Sequence, residues 1–145
     1  MTLLGQAERD SERTGSSSTL GVKQGTVGQL LVRDVIAPDT EPSVFPGDPE
    51  LQAAVAAGRV DAGIQDLSIV LGAATNSGGA LEVVGQIETD EAYGVMLPKD
   101  SPNTDIVNQI LDDLKADGTL DQLSEEYLTD AYGVDPASVP VWNVG

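Results

Sequence analysis

The sequence contains no cysteine and no histidine, and each absence removes a class of chemistry. Without a thiol there is no cysteine nucleophile and no disulfide, and without an imidazole the commonest general acid–base group is missing. Most zinc sites are excluded for the same reason, because they use thiolate or imidazole ligands. These absences exclude much of enzyme chemistry, and we expect a protein that is not an enzyme, with no catalytic residue, metal site or cofactor.

Aromatic and basic residues are also scarce. Aromatic side chains make up 3% of the chain while hydrophobic residues reach 40%, so the core is expected to be aliphatic. Lys and Arg number 7 against 24 Asp and Glu, which gives a net charge of −17. A chain with that charge repels phosphate backbones and anionic lipid surfaces, so neither nucleic acid nor a membrane surface is an expected partner.

Long apolar runs are missing as well. None approaches the roughly 20 residues that a membrane-spanning helix needs. Residues 1–20 also lack a basic stretch followed by an apolar stretch, so no signal peptide is visible in this chain. Residues 1–18 are polar and include the linker-like run Gly15-Ser16-Ser17-Ser18, which predicts a disordered N-terminal segment.

From residue 19 onward, short apolar segments alternate with helical ones, which predicts an α/β fold with a doubly wound, mainly parallel sheet. Two C-terminal helices and an extended tail over 136–145 are expected to follow. The predicted strands cover residues 20–23, 43–45, 60–64, 81–84 and 93–97. Helix starts are predicted at the pair Thr26 and Gln29, at Asp48-Pro49-Glu50, at Asp66 and at the pair Thr119 and Gln122.

Two segments carry residues suited to binding a ligand. Residues 22–28 run from a strand into a helix N-terminus, where free amides, the helix dipole and Lys23 favour a carboxylate or a phosphate. Asp66 follows another strand at the edge of the sheet where open α/β folds bind ligands, and its carboxylate suits an ammonium group. Together they indicate a receptor for a free α-amino acid. An ordinary capped turn at the first segment and a helix cap at Asp66 remain the structural alternatives.

At these two segments the chain resembles the bacterial extracellular solute-binding proteins of family 3, the amino-acid receptors of ABC importers. The similarity in order and spacing extends from about residue 20 to residue 133. It rests on residues 20–26, 45–46, 51–66, 83–85, 90–95 and 114–122. The resemblance implies a type II periplasmic-binding fold, in which two lobes close over a polar amino acid.

The resemblance also implies roles for particular residues. Gly25, Thr26 and Val27 would bind the ligand carboxylate, Asp66 would bind its ammonium group, and Lys23 would lie near its side chain. Val27 departs from the small or hydroxylic residue that is commoner in the family, so only its amide would contribute.

The matched region corresponds to the second lobe and the C-terminal part of such a receptor. Residues 19–90 would form the lobe, and residues 91–135 a return strand and helices that pack on a first lobe in the family. No first lobe is recognisable in residues 1–19, so we expect this chain by itself to bind amino acids weakly or not at all. The resemblance further implies an extracytoplasmic location, as a periplasmic or cell-surface protein, and a transporter permease as partner. A homodimer through the apolar face of Ile106, Ile110 and Leu114 is a further partner hypothesis.

Three other functions are compatible with parts of the sequence. A truncated lobe that serves only as an interaction module fits the same residues. A phosphoreceiver domain would place Asp66 after the third strand and Lys99 after the fifth, but it needs paired acids after the first strand, where this chain has Lys23-Gln24-Gly25. An enzyme on a related fold would need a cleft acid with a raised pKa, and Asp66 is the only obvious acid there.

Overall fold

The computed structural model describes residues 1–6, 18–89, 92–130, 132–133 and 138–143. The chain forms two compact units, one made of residues 1–89 and 136–145 and the other of residues 90–135. In the described part of the chain, no helix combines the length and the apolar character needed to cross a bilayer.

The first unit is built on a five-stranded sheet with the order β3-β2-β4-β1-β5. Strand β2 pairs in parallel with β3 and β4, whereas β1 pairs antiparallel with β4 and β5. The α/β fold class is therefore confirmed, with one strand running against the other four. The strands are β1 (Thr2–Gln6), β2 (Leu20–Lys23), β3 (Ser43–Phe45), β4 (Ala62–Gln65) and β5 (Leu81–Gln86).

Strand β1 corrects the prediction of a disordered segment over residues 1–18. It lies between two other strands, and Leu3 and Leu4 are buried in different core clusters. A central strand buries both faces, so it shows no alternation of apolar and polar residues and a short one is missed by periodicity. The rest of that predicted segment, residues 7–17, lies outside the described residues.

The predicted strand over residues 93–97 is wrong. Among the described residues this segment pairs with no strand, and Tyr93 is 97% exposed. Its apolar residues matched a strand pattern, but a strand exists only where a neighbour takes up its backbone hydrogen bonds.

Helices cover both faces of the sheet, as a doubly wound fold requires. On one face, α1 (Val27–Leu31) and the π-helical turn after it bury Leu31 and Val32 against the strands. On the other face, α2 (Asp48–Ala56) and α3 (Leu67–Asn76) bury a second cluster. That cluster comprises Leu4, Leu51, Ala54, Val55, Val60, Val70 and Leu81.

The C-terminal tail belongs to the first unit and lies along the free edge of β5. The Gln86 amide donates to the Pro140 carbonyl at 2.8 Å, and the Trp142 amide donates to the Gln86 carbonyl at 2.7 Å. The Trp142 ring covers Gly85, where an added Cβ would lie 2.7 Å from Nε1. The described part of the tail, residues 138–143, therefore belongs to the sheet unit and is not a separate segment, and the extended conformation of residues 136–145 stays a prediction.

The second unit contains the two predicted C-terminal helices, α4 (Thr104–Ala116) and α5 (Thr119–Ser124), and a π-helical turn after α5. Neither α4 nor α5 has a buried residue. Gly118, with φ 79°, separates them, and the Asp117 carboxylate accepts a hydrogen bond from the Thr119 amide at 2.8 Å. Thr119 is thus the first residue of α5 and not its cap.

Candidate functional site

The candidate site begins where β2 leads into α1. Gly25 makes the turn with φ 73°, and Thr26 is the N-cap of the helix. The Thr26 hydroxyl donates to the Lys23 carbonyl at 2.8 Å and accepts from the Gln29 amide at 3.4 Å. The predicted pair of Thr26 and Gln29 therefore does start the helix, through side-chain bonds that satisfy first-turn donors.

One of the amides predicted to bind a carboxylate is already occupied. The Gly25 amide donates to the Gln29 side-chain oxygen at 2.8 Å. The amides of Val27 and Gly28 have no hydrogen-bond partner in the described part of the chain, as expected for the first turn of a helix. The donors that remain open at this helix start are therefore those of Val27 and Gly28.

Asp66 occupies the N-cap position of α3, but its carboxylate makes no capping hydrogen bond. The first turn of α3 is held instead by the Asp66 carbonyl, which accepts from Ile69 and Val70 at 3.1 Å each. The side chain is exposed, so its carboxylate is open to solvent. The structural alternative for this residue, a side-chain helix cap, is absent.

A pocket of about 140 Å³ brings these two loops together. It lies beyond the carboxyl ends of the adjacent parallel strands β2 and β4. The chain leaves β2 through α1 on one face and leaves β4 through α3 on the other, so this is the switch point where open α/β sheets bind ligands. The lining residues are Met1, Lys23, Thr26, Asp48, Ile64, Gln65, Asp66 and Ile69.

Of the five predicted site residues, the pocket unites three: Lys23, Thr26 and Asp66. Gly25 and Val27 lie beside it in the turn and the first helical residue, and neither is part of its lining. Val27 is half exposed.

Two further polar residues of the pocket, Asp48 and Gln65, were not predicted as site residues. Asp48 was expected to cap α2, but it is the first residue of that helix. Its carboxylate accepts from Lys23 Nζ at 2.7 Å through one oxygen and from Gln65 Nε2 at 2.5 Å through the other. Lys23 is therefore paired with a protein carboxylate, and its ammonium keeps two further N–H groups that a ligand could use.

Gln65 is the last residue of β4 and is only 5% exposed. Its Oε1 is buried and has no hydrogen-bond partner among the described residues. A buried acceptor without a donor costs about 1–3 kcal/mol of stability. Sequence alone offered one signal for it, a polar residue ending a strand that is otherwise apolar or small.

The charged side chains of the lining are Lys23, Asp48 and Asp66, and Met1, whose N-terminal ammonium donates to the Ile87 carbonyl at 2.9 Å, adds a second positive group. Within the described ranges, no cluster of three or more Asp, Glu, His or Cys residues could hold a metal ion. The unpaired acceptor of Gln65 and the open carboxylate of Asp66 favour a small ligand with hydrogen-bond-donating groups.

No family model matches the chain, and no curated protein sequence matches it either. Solved structures with the same fold do exist. An ancestral arginine-binding protein bound to glutamine is 23% identical with a TM-score of 0.64, over 88% of this chain and 58% of that one. The same kind of protein bound to arginine is 25% identical with a TM-score of 0.63, over 88% and 59%.

The ligand-binding core of GluR0 from Nostoc punctiforme, in complex with L-glutamate, is similar as well. It is 26% identical with a TM-score of 0.58, over 88% of this chain and 59% of that chain. The expected resemblance is therefore confirmed at the level of the fold, which is that of amino-acid-binding proteins. The chain spans about three-fifths of the length of these structures.

Proposed function

We propose that this chain supplies one side of a binding site for a free polar amino acid, as part of the substrate-binding component of an ABC-type importer. The observation that supports it is the pocket at the switch point of the sheet. Two groups meet at this pocket: the start of α1, which has open amides, and the exposed carboxylate of Asp66, which does not cap its helix. These are the two complementary groups that an α-amino acid requires.

In this proposal the ligand carboxylate binds at the start of α1. The Val27 amide is open, and the Thr26 hydroxyl and Gly25 amide are released if they exchange their bonds to Lys23 and Gln29. A charge-assisted hydrogen bond to a carboxylate is stronger than the neutral bonds it replaces, so the exchange is favourable.

The ligand ammonium binds the Asp66 carboxylate. That group needs no rearrangement, because it makes no hydrogen bond to its own helix. Lys23, paired with Asp48, borders the space left for the ligand side chain.

The similar structures support the class of ligand, since they are described as bound to glutamine, arginine or glutamate. Import by an ABC transporter, a permease partner, an extracytoplasmic location and the absence of catalysis extend the same proposal. An interaction module without ligand binding is the competing proposal, and the titration below separates the two.

The test is a titration of the ¹⁵N-labelled chain with Gln, Glu, Asn, Asp, Arg and His, followed by NMR. A pocket formed by one side only should bind at millimolar strength, near −4 kcal/mol, with shifts at Val27 and Asp66. Asp66→Asn should abolish those shifts, whereas Asp112→Asn on α4 should not. If no amino acid shifts these signals, the result favours the interaction module over amino-acid binding by this chain, and micromolar affinity would contradict the one-sided site.

The apolar face of α4 indicates a second binding surface, one for another polypeptide. Ile106 and Ile110 are 59% and 51% exposed, which is unusual for two isoleucines one helical turn apart. We propose that another polypeptide covers this face, either the remainder of a two-lobed receptor or a second copy of the chain. Light scattering distinguishes them: a dimer that Ile110→Lys dissociates supports the second copy, and a monomer at high concentration excludes it.

A further inference from the structure

The side-chain oxygen of Gln65 is buried and lacks a hydrogen-bond donor in the described part of the chain. The side chain is at least nine-tenths buried, its Nε2 is bound to Asp48, and its Oε1 has no donor among the described residues. Buried polar atoms in proteins are nearly always satisfied, so an orphaned acceptor on a residue that lines a pocket marks a place where a donor from outside belongs.

The orientation of the Gln65 amide follows from its neighbour. Side-chain oxygen and nitrogen of glutamine are assigned from the hydrogen-bond network. Turning the amide over would place Oε1 against a carboxylate oxygen of Asp48, two acceptors at hydrogen-bond distance. Asp48 is itself held by Lys23 Nζ at 2.7 Å, so the chain from Lys23 through Asp48 to Gln65 presents an acceptor and not a donor.

We propose that Gln65 Oε1 is a specificity-determining acceptor that receives a hydrogen bond from a donor on the ligand side chain. That donor is an ammonium, a guanidinium or an amide NH₂ group. Lys23 and Asp48 act as positioning residues, because they orient the amide without meeting the ligand donor themselves. This inference rests on the proposed function and adds to it the chemical class of the ligand side chain.

The same geometry disfavours an anionic side chain. A carboxylate has only acceptors, so it leaves Oε1 unsatisfied. A site built to pair with a donor rejects an isosteric ligand that lacks it far more strongly than an apolar pocket rejects an added group.

The experiment compares isosteric ligands by NMR titration. Wild-type protein should bind glutamine over glutamate, and lysine over norleucine, by about tenfold or more. In Gln65→Leu, which keeps the size and removes the acceptor, the lysine preference should fall to about twofold or less. Gln122→Leu in the second unit is the matched control and should keep the full preference. The ¹⁵N spectrum and the fluorescence of Trp142 report whether each variant is folded.

A second arm uses side-chain analogues that have no α-amino acid group. Butylammonium and butyramide should shift the Gln65 side-chain amide signals of wild-type protein, and butyrate should not. If they do so while no amino acid binds, the amino-acid function fails and the acceptor role of Gln65 stands. If amino acids bind and Gln65→Leu keeps the lysine preference, the acceptor role fails and the function stands. If neither set shifts the Gln65 signals, the inference is overturned.

Should Gln65→Leu fail to fold, Asp48→Asn decides the matter through the positioning residue. With an amide at residue 48, Gln65 is free to turn over and present its NH₂ group. The preference for lysine over norleucine should then fall at least fivefold, and an unchanged preference would contradict the inference.

Discussion

The two units of this protein use apolar helix positions in opposite ways. In the first unit, Leu51 and Val55 of α2 are fully buried against the sheet. In the second unit, α4 has an apolar stripe with helical spacing, yet Ile106 and Ile110 are more than half exposed. Periodicity therefore identifies which face of a helix is apolar, but not whether anything covers it.

The charges follow the same division. Residues 100–135 carry ten acidic residues and a single base, Lys115. In the first unit the Lys23–Asp48 pair is partly buried and joined to Gln65. Charge on the second unit is therefore a property of its surface, while in the first unit it organises a pocket.

The largest expected effect comes from cutting a side chain out of the first core. Leu51→Ala should lower the free energy of unfolding by about 2–5 kcal/mol, because Leu51 is fully buried over β2 and β4. Ile110→Ala in α4 should cost less than about 1 kcal/mol, since half of that side chain is already in solvent. Urea unfolding measures both, and equal losses would contradict the contrast between the units.

The second prediction concerns the order in which the units unfold. Trp142 is the only tryptophan and lies in the first unit, so its fluorescence reports on the sheet. Short helices without buried residues are marginal in water, so part of the ellipticity at 222 nm should be lost about 1 M urea before the fluorescence changes. Coincident transitions would mean that the two units unfold as one.

Substitutions at three glycines distinguish two causes of destabilisation, a lack of space for a Cβ and a backbone conformation that favours glycine. Gly21→Ala should cost about 1–3 kcal/mol, because its Cβ would lie 2.5 Å from Leu51 Cδ1 and 3.1 Å from Phe45 Cε2. Gly118→Ala meets no atom within 4 Å, but its φ of 79° should cost about 1–2 kcal/mol. Gly94→Ala has neither constraint and is the control, expected within about 0.5 kcal/mol of wild type. If Gly94→Ala lowers the free energy of unfolding as much as Gly21→Ala does, this assignment of causes is wrong.

The smallest expected effect is a change in the pKa of Asp117, in the second unit. Hydrogen bonds from the Thr119 side chain and amide lower the pKa of Asp117 below its ordinary value of 3.8. A group whose pKa is lower in the folded state stabilises fully above the ordinary value, and that contribution is lost as pH falls through the lowered one. In a carbon-13 NMR titration, Thr119→Val should raise the Asp117 midpoint part of the way back, because the amide remains. An unchanged midpoint would show that the hydroxyl is irrelevant.

Much of the fold was predictable from the sequence because local chemistry determines it. Strands β2 and β3 lie where they were predicted, and Gly58 and Gly118 follow the ends of α2 and α4 with φ of 67° and 79°. The pairing of the β2 loop with Asp66 was also predictable, since the carboxyl ends of parallel strands share one edge of a sheet. Its role in binding an amino acid remains a prediction.

Local sequence was enough to predict the α/β alternation, the helix starts and the two loops that meet at the pocket, and composition excluded thiol and imidazole chemistry. Three features depend on the folded chain: residues 2–6 form a central strand, residues 93–97 form no strand, and Asp48 binds Lys23 and Gln65 instead of capping α2. The physical reason is common to all three. A strand needs partners and a carboxylate takes the nearest donors, and both depend on residues that are distant in the chain and adjacent in the fold.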